Sequence, residues 1–130
     1  MKPFAIFMSK RTLQRTFEAY HPQTIAALQE KAELSTRIYY PDELPALRDL
    51  FARVDIFATW GMPELTEEEI RTYLPNLKAV FYAAGSVQYF AHPFLRCGIK
   101  VFSAWAANGV PVAEYAVSQI ILAGKGYFQC

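Results

Sequence analysis

Two glycine-bearing loops contain the residues of this sequence that are best placed to bind a ligand. Gly85-Ser86 follows an apolar run at 77–83, and Asn108-Gly109 follows a second apolar run at 100–104. Glycine lets a ligand approach the backbone closely, and a loop that follows a buried strand is a common position for a binding site. From the pattern alone, a plain strand-to-helix turn at Gly85 and a cap or turn residue at Asn108 are the commoner roles.

Other polar residues give weaker signals for chemistry. His21 and His92 each precede a proline, and we expect both in turns rather than as general bases. The segment Ser9-Lys10-Arg11-Thr12 could hold an anion near a helix start, although a solvated turn is the commoner role of such a segment. Cys97 and Cys130 are too few for a disulfide framework or a structural metal site, so no bound metal is expected.

Composition limits the classes of partner. The 130 residues suit one domain, and 13 basic against 12 acidic residues leave a net charge of only +1. The sequence has no basic stripe, so neither nucleic acid nor a membrane surface is an expected partner. No segment matches a signal peptide or is apolar enough over its length to span a bilayer. We expect a soluble, cytoplasmic protein.

Short apolar runs alternate with segments of helical spacing along the whole chain. Five such runs predict strands, at 3–8, 34–40, 55–59, 77–83 and 100–104. Proline positions and a capping box at 66–69 predict helices between them, including a short one near Pro93 and a last one that begins near Pro111. This order predicts a flavodoxin-like α/β fold, in which a five-stranded parallel sheet has helices on both faces. Ligands of such sheets bind at the carboxyl ends of the strands.

Two segments carry a resemblance to a known family. Residues 74–87 read Leu-Pro-Asn-Leu-Lys-Ala-Val-Phe-Tyr-Ala-Ala-Gly-Ser-Val, and residues 98–116 read Gly-Ile-Lys-Val-Phe-Ser-Ala-Trp-Ala-Ala-Asn-Gly-Val-Pro-Val-Ala-Glu-Tyr-Ala. Both resemble the D-isomer-specific 2-hydroxyacid dehydrogenases, whose pattern places Pro-x-Leu-Lys, a glycine turn, Gly-Ile-x-Val, an asparagine and Val-Ala-Glu in this order. The resemblance implies an oxidoreductase that acts on D-2-hydroxy acids or 2-keto acids with NAD or NADP.

The resemblance also implies roles for particular residues. In the family, the turn that corresponds to Gly85-Ser86-Val87 binds the substrate carboxylate through its backbone N–H groups. Asn108 would lie between two domains, beside the substrate or the nicotinamide, and Trp60-Gly61 would line the cleft. The acidic residue that the family often has shortly after the glycine is replaced here by Gln88.

Other parts of the family pattern have no counterpart in this chain. The resemblance implies a substrate-binding domain at 1–107, followed at 108–130 by the hinge and first helix of a cofactor domain. Neither the Gly-x-Gly-x-x-Gly fingerprint nor the family's catalytic Arg, Glu and His can be matched, because Gly124-x-Gly126 follows a predicted helix rather than a strand. We therefore expect no catalytic residue in this chain, no cofactor bound to it, and no hydride transfer by it alone.

The segment Val110–Ala123 predicts a helix that is apolar nearly all round. Such a helix must be buried on several sides, and in the family it lies in a subunit interface. We therefore expect a homodimer that forms through this helix.

The alternative function is a non-enzymatic flavodoxin-like module that binds a ligand or regulates a partner. A phosphoacceptor receiver of this fold would need acidic residues after the first strand, where Met8-Ser9-Lys10 stands instead. A flavin-binding version would need a phosphate loop there, and Ser9-Lys10-Arg11-Thr12 fits that only partly.

Overall fold

A computed structural model describes residues 1–11 and 16–129 and contains one sheet of five parallel strands. Along the chain these are β1 Phe4–Met8, β2 Glu33–Tyr39, β3 Ile56–Thr59, β4 Ala79–Tyr82 and β5 Lys100–Ser103. Their order across the sheet is β2-β1-β3-β4-β5. The α/β fold with a flavodoxin-like layout is therefore confirmed. Thr12 and Cys130, both named above, lie outside the described residues.

Five α-helices accompany the strands in the described part of the chain: α1 Pro22–Lys31, α2 Arg48–Phe51, α3 Glu67–Tyr73, α4 Gln88–Arg96 and α5 Trp105–Gly124. Shorter 3-10 segments occupy Thr16–Ala19, Pro41–Glu43 and Tyr127–Gln129. The capping box before α3 is present, because the Thr66 hydroxyl accepts a hydrogen bond from the Glu69 N–H while the Glu69 carboxylate accepts one from the Thr66 N–H. None of these helices combines the length and the hydropathy needed to cross a membrane.

Two predicted helix starts are wrong in the same way. Helix α4 begins at Gln88 rather than near Pro93, and α5 begins at Trp105 rather than near Pro111, so each proline lies inside its helix. Phe90 is buried in the core and fixes the first turn of α4. The two alanines after Trp105 favour a helical turn ahead of Pro111. As a result, Asn108-Gly109 lies in a helix and not in a loop.

The two faces of the sheet are covered to different extents. On the first, which we call the closed face, Ile6, Met8, Phe57 and Val80 belong to one core cluster together with side chains of α2, α3 and α4. On the second, the open face, a row of side chains lies in register across four strands: Phe7, Ala58, Phe81 and Phe102. Helix α1 packs beside β2, and Phe81 and Phe102 remain 45% and 46% exposed.

Candidate functional site

The loop at 83–87 connects β4 directly to the first turn of α4. The Ala83 N–H donates a hydrogen bond to the Thr59 carbonyl at the end of β3, at 2.9 Å. The Ser103 hydroxyl at the end of β5 lies 3.0 Å from the Ala84 carbonyl oxygen and 2.5 Å from that of Gly85. The strands on both sides of β4 therefore fix the path of this loop. The Ser103 hydroxyl lies within hydrogen-bond distance of two of its carbonyl oxygens, those of Ala84 and Gly85.

Three consecutive N–H groups of this loop have no protein acceptor among the residues that the structure describes. Within residues 1–11 and 16–129, no protein acceptor receives a hydrogen bond from the backbone N–H of Gly85, Ser86 or Val87. Helix α4 starts at the next residue, and the N–H groups of Gln88 and Tyr89 in its first turn also have no acceptor among the described residues, so they are partially positive. Successive free N–H groups at a helix N-terminus form a binding site for an anion such as a carboxylate.

Asn108 lies against this loop although it is far away in sequence. A Cβ atom added to Gly85 would come 3.0 Å from Asn108 Nδ2, so the two residues approach closely and a larger residue at 85 would require the Asn108 side chain to shift. The Asn108 N–H donates to the Ala104 carbonyl at 2.9 Å, within the second turn of α5. The structure thus brings two of the predicted site residues together, while their role in binding stays a prediction.

The Trp60-Gly61 turn lies at the end of β3 and is fastened to the end of β1. The Ser9 hydroxyl is 2.9 Å from the Trp60 carbonyl oxygen, and the Lys10 N–H donates to the Gly61 carbonyl at 2.9 Å. Gly61 has a φ of 75°, a left-handed conformation that favours glycine. No hydrogen bond or ring contact in the described part of the chain joins this turn directly to Gly85-Ser86-Val87.

Three further side chains surround the start of α4. The Tyr89 hydroxyl lies 3.4 Å from the Tyr82 hydroxyl, and Lys10 Nζ lies 4.8 Å from the centre of the Tyr89 ring. Burial, followed by the nearby Tyr82, raises the pKa of Tyr89, which therefore stays protonated as a donor. Lys10 Nζ also lies 3.9 Å from a carboxylate oxygen of Glu64, so its positive charge is paired. The aromatic pair resembles core residues in the sequence, so no local signal could have predicted this contact.

The Gly124-x-Gly126 pair does not form the glycine turn of a dinucleotide site. Such a site needs a strand immediately before its glycines, whereas Gly124 and Gly126 end α5 and form the turn after it. Within the described part of the chain, no group of three or more His, Cys, Asp or Glu side chains could hold a metal ion.

Comparison with known proteins adds no further support, since neither a model of a known family nor a curated protein matches this chain. The resemblance described above therefore depends on residues 74–87 and 98–116 alone.

Proposed function

We propose that this chain is the substrate-binding part of an NAD(P)-dependent oxidoreductase that acts on D-2-hydroxy acids and 2-keto acids. The observation that supports this most strongly is the set of unpaired N–H groups at Gly85-Ser86-Val87, directly before α4 and beside the amide of Asn108. In this proposal the three N–H groups bind the substrate carboxylate.

The chemistry of these groups suits a small 2-keto acid. A carboxylate accepts charge-assisted hydrogen bonds from several N–H donors, and the dipole of α4 favours its charge. The Asn108 side chain can donate or accept a hydrogen bond, so it can contact either a 2-keto oxygen or a 2-hydroxyl group. Trp60 is half-buried at the same edge of the sheet and would limit the size of the substrate tail.

The chain is proposed to bind substrate without transferring hydride. NAD or NADP supplies the hydride in enzymes of this class, and Gly124-x-Gly126 follows a helix rather than the strand that a dinucleotide fingerprint needs. A cytoplasmic location is part of the proposal, and its support is the free thiol of Cys97, which fits a reducing compartment.

Calorimetric titration with pyruvate and with its uncharged methyl ester tests the proposal. We expect pyruvate to bind with a Kd of about 1 mM and the ester to bind at least about 10-fold more weakly, because the ester lacks the anionic oxygen pair. Equal affinity for the two compounds would rule out carboxylate recognition. NADH oxidation by the chain with pyruvate should not exceed the buffer rate.

A pair of asparagine variants then tests the site. Asn108→Ala should weaken pyruvate binding about 5-fold, the loss of roughly one hydrogen bond. Asn76→Ala is the matched control, because the Asn76 amide donates to the Ala52 carbonyl at 2.7 Å, at the opposite ends of the strands. The control should bind pyruvate as the unmodified chain does. Loss of binding in Asn76→Ala alone would contradict the proposed position of the site.

A further inference from the structure

Helix α1 lies over the open face without burying any of its own residues. It packs beside β2, yet its apolar side chains Ile25 and Leu28 both stay partly exposed. A helix that covers a sheet normally buries a stripe of apolar side chains against the strands. The space between α1 and the strands beneath it is therefore not filled by side chains of the helix.

The unfilled space is an apolar slot of about 320 Å³ between α1 and the strands. Small side chains make room for it in the walls: Ala5, Ala32 and Ala58. The lining is apolar except for three side chains: Tyr20, Thr24 and Lys31. An apolar cavity of about 150 Å³ stays dry and binds benzene, so this slot has room for a larger apolar group.

The slot is elongated along the axis of α1. Thr24, Leu28 and Lys31 line it at i, i+4 and i+7 spacing, which places them on one side of the helix. These turns of helix span about 10 Å. From the strands, the lining extends from Pro3, just before β1, to Phe81 near the end of β4. An extended alkyl chain makes contacts along the whole of such a slot, whereas a compact ring fills only part of it.

The two ends of the slot differ in polarity. Tyr20 lies near the carboxyl ends of the strands, where its hydroxyl is 3.1 Å from the Thr59 carbonyl oxygen. Lys31 lies at the other end, in the last turn of α1, and is exposed. One end therefore holds a ring whose hydroxyl is already hydrogen-bonded, and the other end holds a charge in contact with water.

The charge of Lys31 has no ion-pair partner among the described residues. No carboxylate there lies within ion-pair distance of its ammonium group, including those of Glu30 and Glu33, which are both exposed. The Lys2 ammonium group donates to the Gln29 carbonyl at 3.2 Å and adds a second positive charge near this end of α1. The two full charges outweigh the partial negative charge of the helix C-terminus, so this end of the slot favours an anion.

We propose that the slot binds a medium-chain fatty acid, with the alkyl chain between α1 and the strands and the carboxylate beside Lys31. The carboxylate then lies at the amino ends of the strands, opposite to the loop at 83–87. This site is therefore independent of the function proposed above, and either can hold without the other.

Calorimetric titration with straight-chain carboxylates tests the shape and the charge of the slot. From butanoate to octanoate, the affinity should rise about 4-fold for each added methylene group, because each is removed from water. Octylammonium has the same chain with the opposite charge, and it should bind at least about 10-fold more weakly than octanoate. Absence of octanoate binding, or equal affinity for the two compounds, would overturn the proposal.

Filling the slot tests the position of the site. Ala58→Leu should weaken octanoate binding at least about 10-fold without lowering the urea midpoint, because the added carbon atoms enter unfilled space. Ala27→Leu is the matched control, since Ala27 is exposed on α1 and does not line the slot. It should bind octanoate as the unmodified chain does. A lowered midpoint in Ala58→Leu would show that the space is already filled, and unchanged octanoate binding would place the ligand on another apolar surface; either result contradicts the proposal.

Replacing the charge tests the orientation of the ligand. Lys31→Met keeps an unbranched apolar stem and removes the ammonium group. It should weaken octanoate binding about 5-fold, the loss of roughly one exposed ion pair, and leave octylammonium binding no weaker than before. An unchanged ratio of the two affinities would show that the carboxylate does not lie beside Lys31.

Discussion

The closed face and the open face are built from the same strands, and both present apolar side chains. On the closed face Phe57 is 0% exposed, beneath α2, α3 and α4. On the open face Phe81 and Phe102, from neighbouring strands, are nearly half exposed. The sequences of these strands are apolar on both sides, as is typical of strands in parallel sheets. The comparison shows that the strands specify two buried faces, whereas the described helices of one chain complete only one of them.

The largest expected difference between the faces is in the effect of losing one phenylalanine ring. Phe57→Ala should lower the free energy of unfolding by about 4 kcal/mol, because it leaves a cavity in a filled core. Phe102→Ala should lower it by less than about 1 kcal/mol, because the Phe102 ring is nearly half exposed. Urea unfolding of both variants measures the difference. Similar losses would show that the open face is covered in the monomer.

A second prediction concerns Tyr20, which covers part of the open face. Its ring meets that of Phe7 edge-on at 5.2 Å, its hydroxyl lies 3.1 Å from the Thr59 carbonyl oxygen, and burial raises its pKa from 10.0 to about 12. Because the folded chain holds this proton more tightly than the unfolded chain, the stabilisation is complete below pH 10. It declines as the pH rises from about 10 to about 12, by up to about 2 kcal/mol.

The matched variant for this prediction is Tyr20→Phe, which keeps the ring and removes the titrating hydroxyl. At neutral pH it should be about 1 kcal/mol less stable than the unmodified chain, owing to the lost hydrogen bond. Above pH 10 the difference should shrink or reverse. A constant difference from pH 8 to pH 12 would mean that Tyr20 is not buried against the sheet.

A third prediction concerns a helix of the closed face. Thr66→Ala removes the cap of α3 and should cost about 1 kcal/mol of unfolding free energy. Thr72→Ala, an exposed position in the same helix, should change stability by less than about 0.5 kcal/mol. Equal effects of the two substitutions in urea unfolding would indicate that the capping box does not form.

The smallest effect is expected where Gly85 and Asn108 meet, at the carboxyl edge that both faces share. Gly85→Ala should cost about 0.5–1 kcal/mol, because the added methyl group displaces the Asn108 amide. In an Asn108→Ala background the same substitution should cost almost nothing. A double-mutant cycle measured by urea unfolding gives this coupling. Independent effects of the two substitutions would mean that the two residues are not in contact.

Local signals in the sequence predict much of this fold. Apolar runs locate the five strands, and Thr66 with Glu69 locates the start of α3. The starts of α4 and α5 could not be predicted in this way, because proline preference is a local rule whereas the burial of Phe90 depends on the assembled core. The apolar sequence of Val110–Ala123 indicates that α5 needs a covering surface, but not which surface covers it.

The candidate site, like the fold, could be predicted only in part from the sequence. Gly85 and Asn108 could be named from loop position and family resemblance, but their proximity depends on how the sheet brings together residues that are distant in sequence. The placement of Lys10 over the ring of Tyr89 joins β1 to α4 in the same way. No spacing within a single segment indicates such a contact.

The central claim is that a carboxylate binds to the N–H groups between β4 and α4. An amide-resolved NMR titration of the isotope-labelled chain with pyruvate tests it most directly. We predict that the largest concentration-dependent shifts occur at the backbone amides of Gly85, Ser86 and Val87 and at the side-chain amide of Asn108. Shifts of equal size at the start of α3, or none at Gly85-Ser86-Val87 under saturating pyruvate, would contradict the claim.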